Sequence, residues 1–315
     1  MNNEKFLAEC RTAPRITTMK NFFSETASGV SNIPIKKIVA DKRLFNDEET
    51  VRFHAYLSKH KGFFLNHYFS SIPYSFEEEC RLGKTIVKYL ENINNPTVYC
   101  LGMAEGSMAR AISDISLGRI KTLTSSPTKE NEKTFYENGH IPGAVFAHTP
   151  FSLIKEKLDH FSYGDFKNGF NILIEDTTFQ MYSPDRFSQI GFVKTLLKDD
   201  GILIITEKFK CDKDEYLFRE YQKDYSFKRR FFSESQLSIK KEKVLNTMSE
   251  NEVTLEEARD ALDPHFKHKA IYWNSGNFYS IAASSSKENL DLFLSLLGKE
   301  CIPSEYVYID LPKKL

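Results

Sequence analysis

Pro96–Ile112, PTVYCLGMAEGSMARAI, is the stretch on which the fold turns. Thr97–Leu101 is a short apolar run of strand character, closed by Gly102 and Gly106, and Ser107–Ile112 reads as the first turns of a helix. A strand that feeds a helix through a glycine-bearing turn presents backbone N–H groups and the helix N-terminus to a ligand. Glycine suits such a turn because a side chain blocks close approach or forbids the backbone angles. Turns of this kind also occur in α/β proteins that bind nothing, so the flanking chain has to decide.

Downstream, apolar strands alternate with helical or polar stretches: Ile120–Thr124, Ala144–Ala147, Asn171–Ile174 and Ile202–Thr206. No hairpin dipeptide separates them, which predicts a mostly parallel sheet with right-handed crossovers. Between them lie a polar segment, Lys129–Gly139, and a helix opened by Ser183-Pro184, with serine as cap and proline at its first position. Asp199-Asp200-Gly201 reads as a turn. From Cys211 to Met248 the chain is helical and charged and holds the basic-aromatic run Phe227-Lys228-Arg229-Arg230-Phe231-Phe232. Thr254 and Glu257 form a capping box. Lys269–Asn274 and Asn277–Ala283, joined by Ser275-Gly276, predict an antiparallel hairpin.

Upstream, residues 1 to about 45 carry breakers at Pro14, Gly29 and Pro34 and read as an extended arm ordered on a partner. Asp47–Phe69 has helical spacing. Its His54, His60 and His67 match no HExxH pair and read as surface or half-buried histidines rather than metal ligands. Ser75–Leu90 is a helix capped by Ser75, with Glu77, Glu78 and Glu79 in its first turn. The organisation expected is an arm and helical extension over 1–66, a main domain over 67–285, and a helix and tail over 286–315.

The 315 residues suffice for a large core, and 43 basic side chains balance 43 acidic ones, so net charge argues for neither nucleic acid nor a membrane surface. Five scattered cysteines (Cys10, Cys80, Cys100, Cys211, Cys301) with no CxxC suit reduced thiols. No apolar run is long enough to span a bilayer, and the N-terminus lacks the apolar stretch of a signal peptide. The expectation is a soluble cytoplasmic protein.

Five parallel strands followed by an antiparallel hairpin is the sheet order of class I methyltransferase folds. From about His67 to Ser285 the chain resembles the SAM-binding enzymes of that class, and most closely the carboxy-SAM synthase of the tRNA wobble-uridine oxyacetate pathway. Ile72-Pro73-Tyr74-Ser75, Val98–Gly106, Thr178-Phe179-Gln180 with Ser183-Pro184, and Gly201–Phe209 followed by Tyr272–Phe278 carry the resemblance. It implies a Rossmann-like fold with a mostly parallel seven-stranded sheet and a helical N-terminal extension. It also implies S-adenosyl-L-methionine (SAM) as cofactor and methyl transfer as the activity. Gly102 and Gly106 would let the backbone approach the methionine moiety, Tyr74 would close over it, and Asp176 would take its ammonium group.

The chain departs from the family at three acidic positions. Thr124 stands where a carboxylate receives the ribose hydroxyls, Thr149 where one reads the adenine amino group, and Cys100 where an acid precedes the glycine loop. A hydroxyl makes one such bond where a carboxylate makes two stronger, charge-assisted ones. Glu105 and Asp176 remain as polar groups for the cofactor. The resemblance to the carboxy-SAM synthase implies a cation for the extra carboxylate of its product, and the aligned region offers Lys240, Lys241 and Lys243, of which Lys243 is the substrate-binding candidate; Lys228, Arg229 and Arg230, interleaved with aromatics, are placed to contact phosphates or stack on bases. The acceptor itself is unidentified, either tRNA or another nucleic acid, or a small molecule. Two alternatives stand beside methyl transfer. One is a carboxy-SAM synthase-like enzyme. The other is a scaffold that retains a degenerate methyltransferase fold and assembles, as a homo-oligomer or larger body, through its arm.

Overall fold

Eight strands build one sheet in the computed structural model of this chain: β1 Thr97–Leu101, β2 Lys121–Ser126, β3 Ala144–His148, β4 Phe170–Asp176, β5 Leu197–Lys208, β6 His268–Ser275, β7 Phe278–Ser284 and β8 Lys313–Lys314. The structure describes residues 8, 14–31, 33–137, 139–159, 161 and 164–315; Cys10 and the first residues of the expected arm lie outside them. The strand order is β3-β2-β1-β4-β5-β7-β6-β8. β1 to β5 are parallel, β7 returns antiparallel beside β5, and β6 pairs antiparallel with the far side of β7. This is the mostly parallel sheet with a terminal hairpin that the sequence predicts. The short β8, beyond the seven strands expected, pairs with Ala270 and Ile271 of β6.

Side chains alternate across each strand, so the central strands feed two cores. Val98, Cys100, Ile172, Ile174, Ile202 and Ile204 pack on one face, under the helices Glu48–His60 and Ser75–Tyr89. Tyr99, Leu101, Leu123, Leu173, Leu203 and Ile205 pack on the other. Burial on both faces is why these strands read as apolar runs rather than as alternating patterns.

Several local expectations are corrected. The described part of the arm is not extended throughout: Pro14–Ala27 is a helix, whereas residues 33–41 hold neither helix nor strand. The single helix expected over Asp47–Phe69 is two, Glu48–His60 and Phe63–Phe69, broken at Lys61-Gly62. The Glu105 carboxylate accepts from the backbone N–H groups of Gly62 and Leu65, both at 2.9 Å, and so anchors the second helix at its open end. Ser75 does not cap its helix. The cap position is Tyr74, at φ 59°, and Ser75 Oγ donates instead to the Ile72 carbonyl at 3.0 Å. The helix after β4 is Arg186–Lys194, capped by Asp185, which accepts from Ser188 N–H at 3.0 Å; Ser183 accepts from Asp185 N–H one turn earlier. Asp199-Asp200-Gly201 lies inside β5 rather than in a turn before it. The polar segment holds a helix, Lys129–Glu137. The charged stretch after Cys211 is broken into the helices Lys213–Gln222 and Glu234–Lys240, each followed by a π-helical turn, Lys223–Phe227 and Lys241–Leu245.

Candidate functional site

The carboxyl ends of β1, β2, β4 and β5 open onto a cavity of about 680 Å³, within the range of small-molecule sites. Its floor is the turn Gly102–Ala104 after β1, Ser125–Thr128 after β2 and Asp176–Thr178 after β4, and Lys208 closes it at the end of β5. Over it lie the Pro14–Ala27 helix and the segment from Val244 to Met248. Parallel strands direct their carboxyl ends to one edge, and the order reverses between β1 and β4, where α/β sheets hold ligands.

The two glycines of the turn have positive φ, +67° at Gly102 and +72° at Gly106. What a side chain would meet there is the protein itself. A Cβ on Gly102 would stand 2.1 Å from Thr178 Oγ1, and one on Gly106 would stand 2.6 Å from Thr124 Cγ2. The glycines let the β1 turn nest against the β4 turn and the end of β2. Gly102→Ala is therefore expected to destabilise the fold by about 2–4 kcal/mol, from overpacking and left-handed backbone strain. In a Thr178→Ala background the loss should shrink by about 1 kcal/mol or more, read from urea unfolding of the four-protein cycle. Additive losses would show that the two turns do not touch.

Asp176 is the carboxyl group on the cavity floor. Tyr68 donates its hydroxyl to Asp176 Oδ1, and burial raises the Asp176 carboxyl to about 7. Behind it, burial and the neighbouring Asp176 raise Glu79 well above the carboxylate range. The turn that carries Asp176 is pinned from below. Buried Glu175 accepts from the N–H groups of Thr178 at 2.6 Å and Phe179 at 2.9 Å.

Of the seven cofactor residues read from the sequence, the cavity wall includes Gly102 and Asp176. Thr124 donates its hydroxyl to the Cys100 carbonyl at 3.0 Å and is fully buried beneath Gly106. Glu105 turns away to the Gly62–Leu65 backbone. Thr149 is buried, its N–H bonded to the Ala147 carbonyl. The Tyr74 ring packs against Phe227 and Tyr306. Among the acceptor residues, Arg229 lies 3.8 Å over the Tyr225 ring and pairs with Glu234. Arg230 packs on the rings of Phe227 and Phe231, and Lys243 is exposed. The histidines are held within the chain: His54 by Ser58, His60 by Asp114, and His67 edge-on between Phe22 and Phe232.

Two features escape the sequence reading. Asn131, two per cent exposed, lines the cavity beside the end of β2. Its Nδ2 donates to Ser126 Oγ at 3.0 Å, which fixes the amide and leaves Oδ1 without a hydrogen-bond partner among the described residues. The second is the joint burial of four lysines, Lys208, Lys223, Lys228 and Lys240, on the β5 side of the wall; the sequence singles out Lys228 and Lys240 but not their convergence with Lys208 and Lys223. Lys208 carried a usable signal, since it is a cation directly after the buried carboxyl half of a parallel strand.

No family model matches the chain, and no curated protein matches it. Solved structures do. It is similar to the plantazolicin methyltransferase BpumL in complex with a monoazolic desmethylPZN analogue and SAH, at 10% identity over 90% of this chain and 99% of that one, TM-score 0.49. It is also similar to the CurJ carbon methyltransferase, at 13% identity over 90% and 70%, TM-score 0.45. A third is a cyclopropane synthase of Mycobacterium tuberculosis, at 9% identity over 80% and 79%, TM-score 0.43. What gives the chain a Rossmann-like methyltransferase fold is its own strand order. No helix among the described residues is long and apolar enough to cross a membrane.

Proposed function

We propose that the chain is a SAM-dependent methyltransferase that acts on a small-molecule acceptor enclosed in this cavity. The observation that carries the reading is the hollow itself. It opens at the β1/β4 reversal, and neither Met103 nor Glu105 fills it, because Met103 lies in its wall and Glu105 bonds elsewhere. The residues fit the cofactor at both ends. Asp176 offers a carboxylate to the methionine ammonium. The unpartnered Oδ1 of Asn131 is buried beside the cavity, and a small turn of the amide would bring it to a ribose hydroxyl, the task that Thr124, tied to Cys100, leaves undone. SAM, when bound, supplies a methyl group on a sulfonium. The protein's own contribution is then proximity, orientation and exclusion of water, since in-line displacement needs no strong acid or base. The Pro14–Ala27 helix and the Val244–Met248 segment cover part of the cavity and would shield a bound cofactor from solvent. Enclosure favours a small acceptor over a nucleic acid, as does the engagement of Arg229 and Arg230 by their neighbours.

Calorimetric titration with S-adenosylhomocysteine (SAH) tests the reading. Micromolar binding is expected, and Asn131→Ala should weaken it about tenfold, the value of one hydrogen bond to a buried, otherwise orphaned group. No binding at millimolar SAH would reject it.

A further inference from the structure

The β5 side of the cavity is a wall of four buried lysines, one of which has no carboxylate partner among the described residues. Lys208, at the end of β5, pairs with Glu220 at 2.9 Å and Glu252 at 3.2 Å. Glu220 is shared with Lys223 and also accepts from Asn277, and Glu252 accepts from the Tyr216 hydroxyl at 2.6 Å. Lys228 pairs with Asp224 at 2.8 Å. Lys240 has no carboxylate partner among the described residues; its Nζ donates to Ser71 Oγ at 2.5 Å. Three carboxylates, each already bonded, therefore face four lysines that are all at least nine-tenths buried. Burial, and then the charges of Lys228 and Lys223, push the Lys240 ammonium well below its ordinary range. A buried ammonium without a counter-ion is costly, so Lys240 gives up its proton more readily than an ordinary lysine, and an anion seated beside it would restore the charge. The wall lines the β5 side of the same cavity whose floor holds Gly102 and Asp176. Three of its lysines come from the segment between β5 and β6, and two of those, Lys223 and Lys240, sit where α-helix passes into a π-helical turn. Such turns frequently mark functional sites.

We infer that Lys240, backed by Lys223 and Lys228, seats an anionic group, a carboxylate or a phosphate, carried by the acceptor. The inference rests on the methyl-transfer reading for the word acceptor, but the anion site can be measured without it.

Inorganic phosphate and acetate are titrated into the free protein and into protein saturated with SAH, for the wild type, Lys240→Met, Lys240→Gln and Ser71→Ala. The wild type should bind phosphate in both states. Both Lys240 variants should lose affinity for it tenfold or more, as expected when a charge-assisted hydrogen bond goes. Ser71→Ala, which removes the hydroxyl that holds Lys240 Nζ and leaves the lysine in place, should bind phosphate at least as tightly as the wild type. SAH affinity should stay within twofold throughout. Anion binding that none of the variants alters would overturn the inference. So would a loss of SAH affinity in the Lys240 variants together with competition between phosphate and SAH, because that assigns Lys240 to the cofactor's own carboxylate. Failure of SAH to bind would sink the methyl-transfer reading alone, and phosphate binding to the free protein would still decide the anion site.

Discussion

Asp176→Asn is expected to raise the melting temperature of the free protein at pH 8 and, in the same sample, to weaken SAH binding at least tenfold. The carboxyl is buried against Glu79, and its pKa rises from an ordinary 3.8 to about 7. Between those values the folded chain holds a proton that the unfolded chain releases. The stabilisation this group contributes is therefore full below about pH 4 and lost as pH rises through about 7. At about 1.4 kcal/mol for each tenfold change in proton affinity, the rise to about 7 bounds the effect near 4 kcal/mol. Asparagine keeps an oxygen for the Tyr68 hydroxyl and never ionises, so its advantage should be small at pH 5 and widen to about 3–6 °C at pH 8. Scanning fluorimetry across that range checks the slope. A melting difference that does not change with pH would mean Asp176 is not held against its own ionisation. The paired loss of affinity follows from the same charge, because an ammonium placed on Asp176 stabilises the anion that burial disfavours. Activity would then rest on a group the empty fold is better without.

What the sequence disclosed here is the part governed by local periodicity. The β1 run, its two glycines and the Ser275-Gly276 hairpin announce themselves because strand burial and tight turns constrain residue type directly. Caps were harder. Ser75 and Ser183 have the right chemistry and the wrong neighbours, since Tyr74 adopts a left-handed conformation and Asp185 stands closer to the helix that Ser183 was expected to open. The site was legible at Gly102 and Asp176, which follow strands at the cavity edge. It was not legible at Asn131 or Lys223, nor was the burial of Lys240, because these depend on helices packed across a gap that no local pattern encodes. Only the tertiary arrangement turns these side chains inward. The arm misled for a related reason. Its breakers predict extended chain, whereas the stretch between Pro14 and Gly29 is long enough for a helix with its own apolar side.

That helix is the second place where a large effect is expected. Removing residues 1–31 should speed SAH dissociation tenfold or more while leaving the sheet cooperative. All eight strands lie after the deleted segment, so the central cores remain. What disappears is the cover. Met19 and Phe22 are buried against Val244, with Phe23, Met181 and Met248 packed around them, and Phe22 meets the His67 ring at 5.7 Å. Burying two such side chains contributes about 3–6 kcal/mol before the entropy of ordering the helix is subtracted. The net is small enough for a helix of this kind to lift and close on the timescale of ligand exchange. Beyond it the chain is tied down again, since Ile35 N–H donates to the Phe231 carbonyl and Gln236 Nε2 to that of Ile33. The deletion therefore ends within three residues of an anchored backbone. Stopped-flow displacement of SAH reads the rate, and binding of an apolar dye reads the exposed Val244 face. A faster rate with more dye bound identifies the helix as the gate of the cavity. An unchanged rate would mean the ligand enters and leaves past the Lys129–Glu137 side, with the N-terminal helix serving only as packing.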